Sequence, residues 1–188
     1  MKNYNGRFKA QKASGASNVP AGGYVGKVIS AKIAEYSWGD RLEIAFDIAE
    51  GEYTGFFDKQ FKANTANDKK WKGVCRINLP AEDAEEWQYR GINNFLYSIE
   101  ESNNGFTFDF EKLATAKGKM CGFIFNRREW ELDDGRTGWT TECRTTATVE
   151  EIRNGDFRIP KDRPLKNKPA QQNNEFEEID DAGDELPF

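Results

Sequence analysis

The stretch Arg41-Leu42-Glu43-Ile44-Ala45-Phe46-Asp47-Ile48 decides the fold class. Leu42, Ile44, Phe46 and Ile48 alternate with Glu43, Ala45 and Asp47, the period of a strand with one face in an apolar core and one in water. Upstream, Trp38-Gly39-Asp40 is a turn, and residues 24–36 carry Ile29, Ala31 and Ile33 alternating with Ser30, Lys32 and Ala34. Downstream, Glu50-Gly51-Glu52 turns the chain into residues 53–62, read as a third strand with Phe57 and Phe61 flanking Lys59 on one face and Phe56 on the other. Three consecutive strands make a meander.

Pro80 followed by Glu82, Asp83, Glu85 and Glu86 opens a helix, because acids in the first turn meet the positive end of its dipole. Ala84, Trp87, Gly91, Phe95, Leu96 and Ile99 fall on one stripe, and Asn103-Asn104-Gly105 stops it near Ser102. Trp87, Phe95 and Phe46 are assigned to the core. Residues 119–132 and 136–149 follow as two strands joined by Asp133-Asp134-Gly135, a hairpin signal. The order predicts a mainly β fold, a five-stranded OB-type barrel with one helix between strands three and four. Other small α+β sheets share that order.

Composition sets the limits. The 188 residues suit one domain, and 37% hydrophobic content suffices for one modest core. The absence of histidine removes Ser-His and Cys-His nucleophile pairs and histidine metal sites. Cys75, Cys121 and Cys143 are odd in number and far apart, so no disulfide framework or metal clip is indicated, and a reducing cytoplasm is the natural compartment. No run of about 18 apolar residues and no signal-like segment occurs, which predicts a soluble protein that is not exported by that route. Asp133-Asp134 and Glu100-Glu101 are explained by a turn and a helix end, and no phosphate loop is present. The chain therefore reads as no enzyme, with no cofactor and no metal.

The net charge of −5 is unevenly spread. Glu175, Glu177, Glu178, Asp180, Asp181, Asp184 and Glu185 stand near the C-terminus with no Lys or Arg after position 169, leaving 27 basic against 25 acidic residues in the rest. Composition divides the chain into a basic, disordered N-terminal arm (1–23), a folded domain (24–158), a flexible linker (159–174) and an acidic tail (175–188).

Within the body, aromatics sit beside cations: Tyr36, Trp38 and Arg41 at the first turn, Phe57, Lys59, Phe61 and Lys62 on the third strand, and Lys69-Lys70-Trp71-Lys72 in the next loop. Arg127, Arg128, Trp130, Arg136, Trp139 and Arg144 decorate the last hairpin. Cations neutralise phosphates and flat rings stack on unpaired bases at roughly 1 to 3 kcal/mol each, so this interleaving points to single-stranded nucleic acid bound without sequence preference. Trp71 among three lysines has no packing reason to be exposed, whereas Trp130 and Trp139 could also form a structural cross-strand pair. Asp180-Asp181-Ala182-Gly183-Asp184-Glu185-Leu186-Pro187-Phe188 reads as a protein-docking tip, its ring entering an apolar pocket while Asp184, Glu185 and the terminal carboxylate meet basic side chains.

That tail resembles the bacterial single-stranded DNA-binding proteins, which end in an acidic stretch and Ile-Pro-Phe; here Leu186 stands for the Ile. Through Tyr24-Val25-Gly26-Lys27-Val28 and Trp38-Gly39-Asp40-Arg41-Leu42-Glu43-Ile44, the body looks like single-stranded DNA-binding proteins encoded by phages and prophages of Gram-positive hosts. The resemblance implies a barrel that holds single-stranded DNA in the host cytoplasm, and a tail that recruits replication, recombination and repair proteins and competes with DNA for the basic groove. Two further readings stand beside it: a protein-interaction adaptor with no groove, and a strand-annealing factor. A homodimer through an open edge strand is compatible with each.

Overall fold

The computed structural model describes residues 18–165. Five antiparallel strands form one sheet in the order β3-β2-β1-β4-β5. The strands are β1 (Gly22–Tyr36), β2 (Gly39–Ile48), β3 (Val74–Asn78), β4 (Met120–Glu131) and β5 (Thr137–Ala147). Three helices accompany them: α1 (Phe56–Ala63), α2 (Arg90–Glu101) and α3 (Val149–Asn154). The central strand, β1, serves two partners. Gly22 to Lys27 pair with Phe125 to Met120 of β4, while β1 pairs with β2 from Gly26↔Ile48 to Tyr36↔Gly39. A bulge between Val28 and Ser30 separates the halves and re-aims the strand.

The alternation quoted above is realised in full. Leu42, Ile44, Phe46 and Ile48 are all buried and meet Phe95 and Ile99 of α2 with Phe123 and Phe125 of β4 in one core. Two glycines carry geometric requirements. Gly26 lets rings close over the strand, since a Cβ there would lie 2.6 Å from Phe123 and 2.9 Å from Phe46. Gly135 turns the β4–β5 hairpin with φ +81°, a conformation that L side chains rarely adopt.

The third strand expected at residues 53–62 is replaced by a turn and α1, and the strand that pairs with β2 is Val74–Asn78. The cause is a cap supplied from outside the segment. Asp47 on β2 accepts the backbone N–H groups of Phe57 at 3.0 Å and Asp58 at 3.1 Å, satisfying donors at the helix start. Gly55, at φ +70°, brings the chain into that position. Phe57 and Phe61, which a strand would set on the same face as Lys59, are then one helical turn apart.

Trp87 is also reassigned, from core to surface, with 61% of its area exposed. Residues Glu86–Tyr89 form a 3₁₀ turn closed by a reciprocal Glu85–Gln88 cap, and the α-helix begins only at Arg90. A stripe projected at α-helical spacing from position 84 therefore loses phase, and Ile92, Phe95 and Ile99 are the residues that reach the core. The three cysteines, scattered in sequence, converge from β3, β4 and β5. They are free thiols, with Cys143 Sγ donating to the Thr145 carbonyl at 3.8 Å. Burial, assisted by nearby Cys75, pushes the Cys121 thiol well above its ordinary range, so it stays protonated at neutral pH.

Residues 159–165, placed in the linker by composition, run beside β4. Arg163 donates its N–H to the Arg127 carbonyl and its own carbonyl accepts from Glu129 N–H, both at 2.9 Å, and Asn126 Nδ2 donates to the Lys161 carbonyl at 2.8 Å. This strap covers β4 where β1 has bent away. Beyond Leu165 the linker, and the arm before Asn18, lie outside the described residues. Among the described residues no helix is long and apolar enough to cross a membrane.

Candidate nucleic-acid interface

The β1–β2 hairpin turns through Ser37 and Trp38, and this tight turn brings the side chain of Trp38 back over Tyr36. The two rings stack with centroids 4.9 Å apart and planes 11° from parallel. Both stand in solvent, Tyr36 at 41% and Trp38 at 55% exposure. The Arg41 guanidinium carbon lies 4.7 Å from each ring centroid, and its Nε is buried without an acceptor among the described residues. An exposed aromatic pair with a cation held against it has no packing role at a hairpin tip.

From this tip a polar track runs along the outer face of the sheet. Tyr36 Oη donates to Glu43 Oε1 at 3.2 Å, Lys32 Nζ lies 3.2 Å from Glu43 Oε2, and Arg76 Nε lies 3.6 Å from Oε1. Burial pushes the Glu43 carboxyl up, but hydrogen bonds from Lys32 and Tyr36 and the charges of Lys32 and Arg76 outweigh it, and its pKa is lowered. A depressed carboxyl stabilises the fold above the ordinary carboxylate range, and that contribution is lost as pH falls through the lowered value. Accordingly, Glu43→Gln is expected to lower stability by a constant amount at neutral pH and above and to flatten the acid limb, the difference from wild type closing as pH falls through the lowered value. Urea midpoints taken across that range measure it, and an unchanged acid limb would show that Glu43 does not contribute.

Arg76 continues the track into a cleft of about 360 Å³ lined by Phe56, Phe57, Lys70, Trp71, Lys72 and Arg128, among others. Trp71 is not the free ring its lysine neighbours suggested. Its Nε1–H donates to the carbonyls of Phe46 at 3.0 Å and Gly73 at 3.2 Å, and Phe61 leans on it with centroids 5.7 Å apart. Lys69 Nζ sits 4.7 Å over the Phe61 ring. Phe57 is largely buried in the core, with 6% of its area exposed where it forms part of the cleft wall. Lys59 is turned to the Thr54 carbonyl and Lys62 to Asp58, both around α1.

The last hairpin divides its residues between two faces. Trp139 lies opposite Glu129, and Trp130 opposite Gly138, so the two tryptophans are on opposite sides of the ladder and form no cross-strand pair. Trp130 instead covers Gly138, where a Cβ would lie 2.5 Å from the ring. Trp139 is 44% exposed, with the Arg127 guanidinium 5.3 Å from its centroid. Arg127 bonds Asp162 of the strap, Arg128 and Arg163 share Glu142 at 2.9 and 2.7 Å, and Arg136 pairs with Asp134 at 2.7 Å. Arg144 is exposed and lines a second cleft, of about 300 Å³, between β3, β5 and α2.

The structure thus gathers Tyr36, Trp38 and Arg41 into one cluster and connects it to Lys70, Lys72 and Arg128 through Arg76. Arg76 was missed because the third strand was expected too early in the chain, whereas Lys32 was read only as a polar residue of the first strand with no aromatic beside it. Within Val74-Cys75-Arg76-Ile77-Asn78, an arginine between inward Cys75 and Ile77 is the signal that marks the outer face. The tail residues Asp180, Asp181, Asp184, Glu185, Leu186, Pro187 and Phe188 lie outside the described residues. Among the described residues no group of three His, Cys, Asp or Glu side chains is placed to hold a metal ion. No protein-family model matches the chain, and no curated protein is significantly similar to it.

Proposed function

We propose that this chain is a sequence-independent single-stranded DNA-binding protein of phage replication or recombination. The observation that carries the proposal is the solvent-exposed Tyr36–Trp38 stack with Arg41 against it, a ready platform for an unpaired base beside a cation for its phosphate. The track through Arg76 to Lys70, Lys72 and Arg128 extends that platform across the sheet. An OB-type assignment is supported by β1 serving both β2 and β4, by α2 lying between β3 and β4, and by β3 and β5 lining the same clefts from the two ends of the sheet. In this proposal the acidic tail recruits replication and repair proteins of the host cytoplasm and competes with DNA for the cations.

A titration of intrinsic tryptophan fluorescence with an oligo-dT of about 35 nucleotides tests it. Quenching that weakens with salt is expected, each neutralised phosphate contributing about 0.7 to the slope of log affinity against log salt. Absence of both quenching and gel retardation would favour the adaptor. One observation supports that second reading: Lys62, Arg127, Arg128 and Arg136 are each held by an acidic neighbour, which reduces the charge open to a phosphate chain.

A further inference from the structure

The outer strands of the sheet, β3 and β5, approach each other without pairing, and the seam between them holds the clefts of about 360 and 300 Å³ in succession. Arg76 borders both, so they are two parts of one furrow. The first part reaches Trp71 and Lys72; the second runs past Asn78 and Arg144 to the indole of Trp87. Asn78 also lies opposite Arg41 in the β2–β3 ladder, which sets the second cleft next to the Tyr36–Trp38 stack.

Trp87 is 61% exposed, more than Trp38, and makes no hydrogen bond or ring contact with a described residue. The 3₁₀ turn that carries it is nevertheless tied down on both sides. The Gln88 side-chain carbonyl accepts the Glu85 N–H at 2.9 Å, and the Tyr89 hydroxyl donates to the Ala81 carbonyl at 2.8 Å. A ring presented on backbone that is already fixed meets a ligand at a smaller ordering cost.

The cleft beside this ring has the charge that a phosphate chain requires. Arg76 and Arg144 stand in its wall and no carboxylate does. Arg144 is exposed and, unlike Arg127, Arg128 and Arg136, has no acidic partner among the described residues. Glu82, Asp83, Glu85 and Glu86 precede Trp87, and the last two line a separate hollow with it. Their charge keeps phosphates off that hollow and leaves the arginine-lined cleft as the approach to the ring. Asn78, Gln88 and Thr145 complete the cleft wall with amide and hydroxyl groups that donate as well as accept, so bases of different kinds find a partner there.

We propose that this cleft is a second base-binding subsite: an unpaired base stacks on Trp87, its phosphate meets Arg144, and the strand passes Asn78 to reach the Tyr36–Trp38 stack. The subsite rests on the reading of the chain as a single-stranded DNA-binding protein.

Titration of the full chain and its variants with an oligo-dT of about 35 nucleotides tests it. Trp87→Ala is expected to weaken binding by about fivefold or more at an unchanged urea midpoint, since the ring it removes is mostly in solvent. Trp87→Phe keeps a stacking ring, so it should hold the affinity while losing part of the tryptophan quenching. Arg144→Gln is expected to reduce the slope of log affinity against log salt by about 0.7, the contribution of one phosphate. A folded Trp87→Ala variant with wild-type affinity overturns the subsite, and a weakened Trp38→Ala in the same series shows that DNA binding stands without it. Should circular dichroism find Trp87→Ala unfolded, full quenching in Trp87→Phe with an unchanged slope in Arg144→Gln overturns it instead. A wild-type chain that neither quenches with the oligonucleotide nor retards it in a gel removes the DNA-binding reading and the subsite together.

Discussion

Phe46→Ala is expected to lower folding stability by about 3–5 kcal/mol, the range for emptying a buried aromatic site whose surroundings relax only in part. The ring is fully buried and stacks on Phe123 with centroids 3.6 Å apart, while Phe57 and Phe125 meet it at steep angles. Both α1 and β4 therefore lose contacts at once. The same residue's backbone is bonded to Gly73 and accepts from Trp71, so the cavity opens beneath the connection between α1 and β3. A urea titration reads the loss as a lower midpoint at nearly constant slope. A loss under about 1 kcal/mol would mean that neighbouring rings collapse into the vacated space.

Trp38→Ala is expected to weaken single-stranded DNA binding by about 1–3 kcal/mol, a drop of roughly 5- to 150-fold, with little change in stability because the ring is mostly in solvent. Tyr36→Ala should fall in the same range. The double substitution should cost less than the sum of the two, since each ring supports the other's orientation. Trp71→Ala provides the contrast. It removes an indole that bonds two carbonyls, so its main effect should be on stability. Oligo-dT titrations and unfolding curves of these variants measure both quantities, and wild-type affinity in Trp38→Ala would remove the hairpin tip from the interface.

What the sequence disclosed depended on whether the deciding partner was near in the chain. The alternation from Leu42 to Ile48 is local, and all four inward residues are buried. The β4–β5 hairpin was equally legible through Asp133-Asp134-Gly135, though its faces were not. Placing Trp139 opposite Glu129 depends on register, and a slip of one residue reverses every side chain. α1 was hidden because its cap comes from Asp47 on another element, while β3 offers only Cys75 and Ile77 as inward residues. Cations posed the same problem. Arg127 and Asp162 are 35 positions apart, so counting charges along the chain registers the arginine but not the carboxylate that holds it.

The bulge in β1 has a consequence for how the chain is made. Its second half finds β2 within a local hairpin that is complete once residue 48 has been synthesised. Its first half must wait for Met120 to Phe125 of β4. At a translation rate of about 5–20 residues per second, the intervening stretch of about 70 residues leaves the β4-facing side of Gly22 to Lys27 unpaired for roughly 4 to 14 seconds on the ribosome. One strand thus has an early half and a late half, and the late half waits with one side open to mispairing or to a chaperone.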